Sequence, residues 1–177
     1  MGILGQGTEG IVYKAKNRLT GEKVAIKQIK LNLSSCSCVK RLIRQISILR
    51  QLNCGLGKKY ITALREVIAP EIDEAEPYKK VMIFLVLEFV KGESLAKFMD
   101  RIQFSNEKIS EDNIMQLCHS LVSAVNYIHG ANVLHRDLKP DNILVQDDFT
   151  VKICDFGLSR VCSEVPEYSG PAPSTKE

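Results

Sequence analysis

Three oxygen-bearing side chains near the end of the chain have the types and spacing needed for phosphoryl chemistry. Asp137 and Asn142 lie in the octapeptide His135-Arg-Asp-Leu-Lys-Pro-Asp-Asn142, and Asp155 opens Asp155-Phe156-Gly157 a hairpin's length further on. Moving the terminal phosphoryl group of ATP to a hydroxyl needs a carboxylate to orient the attacking oxygen. It also needs a carboxylate and an amide to hold magnesium on the phosphates. Asp137 has the chemistry for the first task, and Asp155 with Asn142 for the second. A lone His-Arg-Asp or Asp-Phe-Gly is a common accident of loops. The whole octapeptide is not, when an apolar run (Ile143-Leu144-Val145), a polar turn (Asp147-Asp148) and a second run (Val151 to Cys154) follow it.

Two stretches near the start could position a nucleotide. Gly5-Gln6-Gly7-Thr8-Glu9-Gly10-Ile11-Val12 fits Gly-x-Gly-x-x-Gly-x-Val, in which glycines let backbone N–H groups close over phosphates. A dinucleotide-binding loop shares that spacing but opens a helix, whereas Ile11-Val12-Tyr13-Lys14-Ala15 reads as a strand. One turn later, past Thr20-Gly21, comes Val24-Ala25-Ile26-Lys27. A strand lysine is ordinarily a solvated edge residue, and only its position after the glycine loop singles Lys27 out.

Together these motifs resemble those of a eukaryotic protein kinase, and Lys139, two residues after Asp137, resembles the serine/threonine-specific form of the loop. The runs Tyr127 to Asp141 and Lys152 to Val161, with Ile68-Ala69-Pro70, resemble the mitogen-activated protein kinases in particular. The resemblance extends from Ile3 to Val161. It implies ATP and Mg2+ as cofactors, with Asp137, Lys139 and Lys27 as catalytic residues and Asn142 and Asp155 as metal ligands. The implied nucleotide contacts are Gly5, Gln6, Gly7, Thr8, Gly10, Val12, Ala25, Lys27, Leu87, Glu88 and Val90. Leu87 would guard the back of the adenine pocket, and the Glu88-Phe89-Val90 backbone would read the adenine edge. His135 would support the backbone of Asp-Phe-Gly. Protein substrates and an upstream activating kinase are the implied partners.

The elements that must position these residues are partly readable. Tyr60 to Pro70 and Lys80 to Val90 read as strands joined by an acidic loop, Glu71 to Pro77. Residues 37 to 52 read as a helix with Val39, Leu42, Ile43, Ile46 and Leu49 on its apolar face. A short helix opens at Glu93-Ser94 and runs to about Ile102. A longer one spans Ser110 to His129, with Ile114, Leu117, Leu121, Val125 and Ile128 facing inward and Gly130 as its stop. The expected fold is α+β, kinase-like and bilobal. Residues 1–90 would form an antiparallel-sheet lobe with one helix, 91–161 the first part of a helical lobe, and 162–177 an incomplete activation segment or tail. The chain, at 177 residues, reads as a fragment of such a fold. The long helix is then expected to lack part of its packing partners, leaving the isolated chain poorly stable.

Departures from the family pattern bear on activity. The helix over 37–52 should supply a glutamate to Lys27, but the matching position is Gln45, and no acidic residue occurs between Glu22 and Glu66. Residues 23 to 65 carry ten Lys or Arg, which reads as a solvated basic face, or less readily as a surface for an acidic partner. After Val161 the resemblance lapses: Pro166-Glu167-Tyr168 lacks the threonine of the family's Thr-x-Tyr pair. A truncated, weakly active or inactive nucleotide-binding module acting through partners is therefore the competing reading.

A net charge of +3 argues for neither a nucleic-acid nor a membrane partner, and the longest apolar run, Val81 to Leu87, is too short to cross a bilayer. The six cysteines show no Cys-x-x-Cys pair and read as reduced thiols of a cytosolic or nuclear protein. Cys154 reads as a small apolar strand residue. Oligomeric state is left open.

Overall fold

A computed structural model describes residues 2–7, 10–55, 57–71, 80–105 and 108–162. Thr8, the acidic loop beyond Glu71, Pro166-Glu167-Tyr168 and the tail lie outside the described residues.

The first half is a five-stranded antiparallel sheet of β1 (Gly2–Gly7), β2 (Gly10–Lys16), β3 (Lys23–Asn32), β4 (Leu64–Ile68) and β5 (Lys80–Glu88), in the order β1-β2-β3-β5-β4. The β2–β3 turn is built by Asn17, whose side-chain oxygen accepts from the N–H groups of Leu19 and Thr20, while Gly21 takes a φ of 74°. Such side-chain mimicry of a turn and a left-handed glycine are the usual means of reversing a strand. Helix α1 (Cys36–Leu52) packs on this sheet, and a single helical turn, α2 (Gly57–Tyr60), follows it.

The second half begins with a strand that the sequence reading missed. β6 (Gly92–Ser94) pairs antiparallel with β8 (Ile143–Gln146), which pairs with β9 (Val151–Ile153). Gly92 is required there, because a Cβ would fall 2.0 Å from the Val145 carbonyl oxygen. Ser94 caps α3 (Leu95–Phe104) and Ser110 caps α4 (Glu111–Gly130), each hydroxyl accepting from the N–H three residues on. Glu111 and Asp112 in the first turn of α4 complement its dipole. A two-stranded ribbon of β7 (Val133–Leu134) and β10 (Arg160–Val161) closes the described chain, with Cys162 N–H donating to the Asn132 carbonyl.

The α+β expectation thus holds, with an antiparallel sheet and one packed helix ahead of a mainly helical part. One core joins the two parts. Leu52, Ile61, Leu85, Ile128, Ile153 and Phe156 are essentially inaccessible and belong to one apolar cluster. A short parallel bridge, Ile61 to Ile153, ties the segment before β4 to β9.

The structure shifts some expected faces. Tyr60 ends α2 rather than starting a strand. In α1 the inward line is Leu42, Gln45, Ile48, Leu49 and Leu52, and Ile43 is 61% exposed. In α4 the fully buried line is Ser120, Ala124 and Ile128, whereas Ile114, Met115 and Val122 are exposed. Among the described residues, no helix is long and apolar enough to cross a membrane.

Candidate active site

The octapeptide forms a loop between β7 and β8 whose geometry is set by one buried histidine. His135 places Nε2 at 2.9 Å from the Cys154 carbonyl and Nδ1 at 3.3 Å from the Asp137 N–H. Nε2 therefore donates to a carbonyl and Nδ1 accepts from an amide, which requires the neutral imidazole. Burial pushes the His135 pKa down from 6.5, against the opposing pull of the Cys154 carbonyl and the nearby carboxylates. Arg136, at φ 68°, makes the turn between these two residues. The Phe156 ring, 0% exposed, packs edge-on against His135 with centroids 4.9 Å apart. Ser159 is buried and donates its hydroxyl to the His135 carbonyl at 3.1 Å.

A pH dependence of stability follows. The folded state disfavours protonated His135, so its contribution is complete above about pH 6.5, the model-peptide value, and is lost as pH falls below it. The melting temperature should be level from pH 8 to 7 and fall from pH 6.5 to 5. A His135→Gln variant, measured over the same range, should lose that dependence.

Asp137 is held at both ends. Its carboxylate Oδ2 accepts from Lys139 Nζ at 3.0 Å and from Asn142 Nδ2 at 2.9 Å, and Asn142 Nδ2 also donates to the Asp137 carbonyl at 2.9 Å. The Lys139 hydrogen bond, foremost among several causes, holds the Asp137 pKa below the usual carboxylate value and raises that of Lys139. A turn of 3-10 helix over Pro140–Asn142 sets up the Asn142 contacts, and Asn142 is itself buried. Both amide hydrogens of Asn142 face Asp137, so its oxygen points elsewhere.

Asp155 follows β9 with a φ of 62°, a left-handed turn that a non-glycine residue holds only when its surroundings impose it. Its Oδ1 accepts from Lys27 Nζ at 2.8 Å, joining residues 128 apart in sequence. Lys27 is buried in β3 at 6% exposure, not on a solvated edge. Asp155 and the Asn142 oxygen are hard oxygen donors, the kind magnesium takes alongside phosphates and water, so the residues present fit that ion. Among the described residues, no cluster of three His, Cys, Asp or Glu forms a fuller metal cage.

Gln45 lies on the inner face of α1 at 4% exposure. Among the described residues its amide makes no hydrogen bond, and no acidic side chain exists in α1 to stand in for it.

Of the glycine loop, Gly5, Gln6 and Gly7 are exposed at the end of β1 and Val12 is half-buried in β2, while Thr8 lies outside the described residues. A Cβ on Gly10, at φ 141°, would sit 1.9 Å from the Gln28 carbonyl oxygen, whereas nothing lies within 4 Å of one on Gly5 or Gly7. Ala25 is buried and pairs with Leu87 across β3 and β5, which puts these two side by side. The Glu88 N–H donates to the Ala63 carbonyl at 2.8 Å, so that amide is committed within the protein. Recognition of an adenine edge by N–H groups would fall to Phe89 and Val90.

Cys154 has its thiol pushed up to about 12, chiefly by burial. The residue itself keeps an intermediate exposure, so the thiol is held protonated without being sealed off.

Comparison with known proteins agrees with this architecture. The family model described as the protein kinase domain matches residues 1–174. Mitogen-activated protein kinase 6 of Arabidopsis thaliana is 37% identical over 161 residues, 91% of this chain and 38% of that protein. Mitogen-activated protein kinase 1 of Oryza sativa subsp. japonica is 36% identical over 161 residues, 91% of this chain and 37% of that protein. Extracellular signal-regulated kinase 1 of Dictyostelium discoideum is 34% identical over 158 residues, 89% and 27% respectively. The chain therefore spans between about a quarter and two-fifths of the length of these relatives. The matched domain, the antiparallel sheet with its one packed helix and the two motifs around Asp137 and Asp155 agree, and the chain belongs to the protein kinase family, in its mitogen-activated-protein-kinase-like branch.

Proposed function

We propose that this chain carries the ATP-dependent phosphoryl-transfer site of a serine/threonine protein kinase. The observation that carries this reading is the 2.8 Å contact between Lys27 and Asp155, which brings the sheet lysine onto the end of the strand beside the Asp137 loop. Lys27 would neutralise the α- and β-phosphates and Lys139 the γ-phosphate. Asp155 and the Asn142 oxygen would hold magnesium, which when bound offsets charge on the phosphates. Asp137, ionised at neutral pH, accepts a hydrogen bond from the substrate hydroxyl and aims its oxygen at the γ-phosphorus. As the new O–P bond forms, the bond from the γ-phosphorus to the bridging oxygen breaks, ADP leaves, and the hydroxyl proton is taken up at Asp137. Such catalysis is positioning and charge neutralisation, so these groups must act together. Protein substrates, an upstream activating kinase and a cytosolic or nuclear setting belong to the same proposal.

Gln45 favours a second reading, a module that binds nucleotide and works through partners. A neutral amide in place of a carboxylate forfeits a charge-assisted bond to Lys27, about twice as strong as its neutral counterpart. A transfer assay decides. Magnesium-dependent labelling of a generic basic protein from ATP supports the enzyme, and nucleotide binding without labelling supports the module. Absence of both removes the proposal.

The Gln45→Glu variant should raise transfer by about ten- to a hundredfold, in keeping with the 1.5–3 kcal/mol spanned by hydrogen bonds to charged groups. Its kcat, measured against wild type at saturating ATP, checks this.

A further inference from the structure

A second lysine, outside the groups already given a catalytic role, is buried between the two halves of the molecule. Lys152, in the middle of β9, donates to both carboxylate oxygens of Glu88 at 2.7 and 2.8 Å and to the Lys58 carbonyl in α2. Its side chain is 9% exposed and that of Glu88 24%. Glu88 Oε2 also accepts from the Ala63 N–H at 3.3 Å, and Ala63 in return takes the Glu88 N–H. Between them runs the 61–63 segment, bridged to β9 at Ile61 and Ile153, with Thr62 N–H donating to the Ile153 carbonyl. Glu88 is the last residue of β5, immediately before Phe89 and Val90. Lys152 lies three residues before Asp155 on the strand that leads to it.

We propose that Lys152 and Glu88 are positioning residues that fix the Phe89-Val90 backbone against the strand bearing Asp155, and so set the spacing between the adenine end and the phosphate end of the nucleotide. This rests on the proposed nucleotide site. An ion pair removed from water is sustained only where further hydrogen bonds complete it, as Lys58 and Ala63 do here, and losing one partner strands the other. The pair joins four segments: the end of β5, the 61–63 strip, α2 and β9. Loosening it frees two ends of the site from each other without touching any phosphate-binding group.

The test measures Mg-ATP affinity and amide hydrogen exchange at residues 88–90 in the full chain, well below each variant's melting temperature. In Lys152→Met, affinity should fall about tenfold and hinge exchange rise by a similar factor, within the range that coupled neighbours show. Lys152→Arg should stay within about twofold of wild type. Glu88→Gln with Lys152→Met should be no worse than the worse single variant, because the pair acts as a unit. Lys152→Met with wild-type affinity and hinge exchange, even at a lowered melting temperature, overturns the proposal. If Lys152→Met does not fold, Glu88→Gln carries the same measurements and the same two outcomes. If wild type binds no Mg-ATP, the nucleotide site itself fails, and hinge exchange alone decides whether the pair fixes this backbone.

Discussion

Asp137→Ala should lower phosphoryl transfer by about 10²- to 10⁴-fold, the range for losing a positioned general base, while leaving Mg-ATP binding nearly intact. The asymmetry follows from what each group touches. In the proposed site Asp137 would face the incoming hydroxyl, whereas Lys27 and Asp155 would face the nucleotide. The carboxylate is held by Lys139 and Asn142, so its loss removes an oriented acceptor without opening a cavity. Side-by-side transfer assays and nucleotide titrations of wild type and variant check both halves. Parallel loss of binding and transfer would mean that Asp137 works through the fold of the loop.

Asp155→Ala should give the opposite pattern, abolishing magnesium-dependent ATP binding. A ligand that binds only the folded state raises the melting temperature with its concentration, by about 2.7 kcal/mol of stability at a hundredfold excess over Kd. Wild type titrated with ATP and magnesium should show that rise, and Asp155→Ala should show none. The substitution also removes one partner of a buried Lys27. Losing a charged hydrogen bond to a partly exposed carboxylate costs about 1.5–3 kcal/mol, so the variant without ligand should melt earlier. A full magnesium-dependent shift in Asp155→Ala would place the metal ligand elsewhere.

The protein kinase family and the α+β architecture were legible in the sequence because their signals are local. The octapeptide is contiguous, the glycine loop precedes the strand-like Ile11-Val12-Tyr13, and Ser94 and Ser110 announce α3 and α4. What escaped was made by distant partners. β6 is three residues with no apolar alternation, and it exists because β8 lies beside it. The α1 pattern suggested that Ile43 points inward beside Leu42 and Leu49, but packing against β3 and β4 turns the buried face so that Gln45, a polar residue no hydrophobic pattern marks, lies inside it with them. Lys152 reads as an ordinary strand lysine until Glu88 and Lys58, neither near it in sequence, enclose it. Among the candidate site residues, the fold brings Lys27 to Asp155 and Asp137 to Lys139 and Asn142, contacts that spacing along the chain could not specify.

Cys154 supplies a clock for this arrangement. A thiol whose pKa is about 12 is almost wholly protonated at neutral pH, and the protonated form does not alkylate. Cys36, Cys38, Cys54 and Cys118 are exposed and will react with iodoacetamide at once. Cys154, partly exposed but held protonated, should label slowly, and the interval before it reacts reports on the surroundings of the strand before Asp155. A nucleotide bound at the proposed site should lengthen that interval.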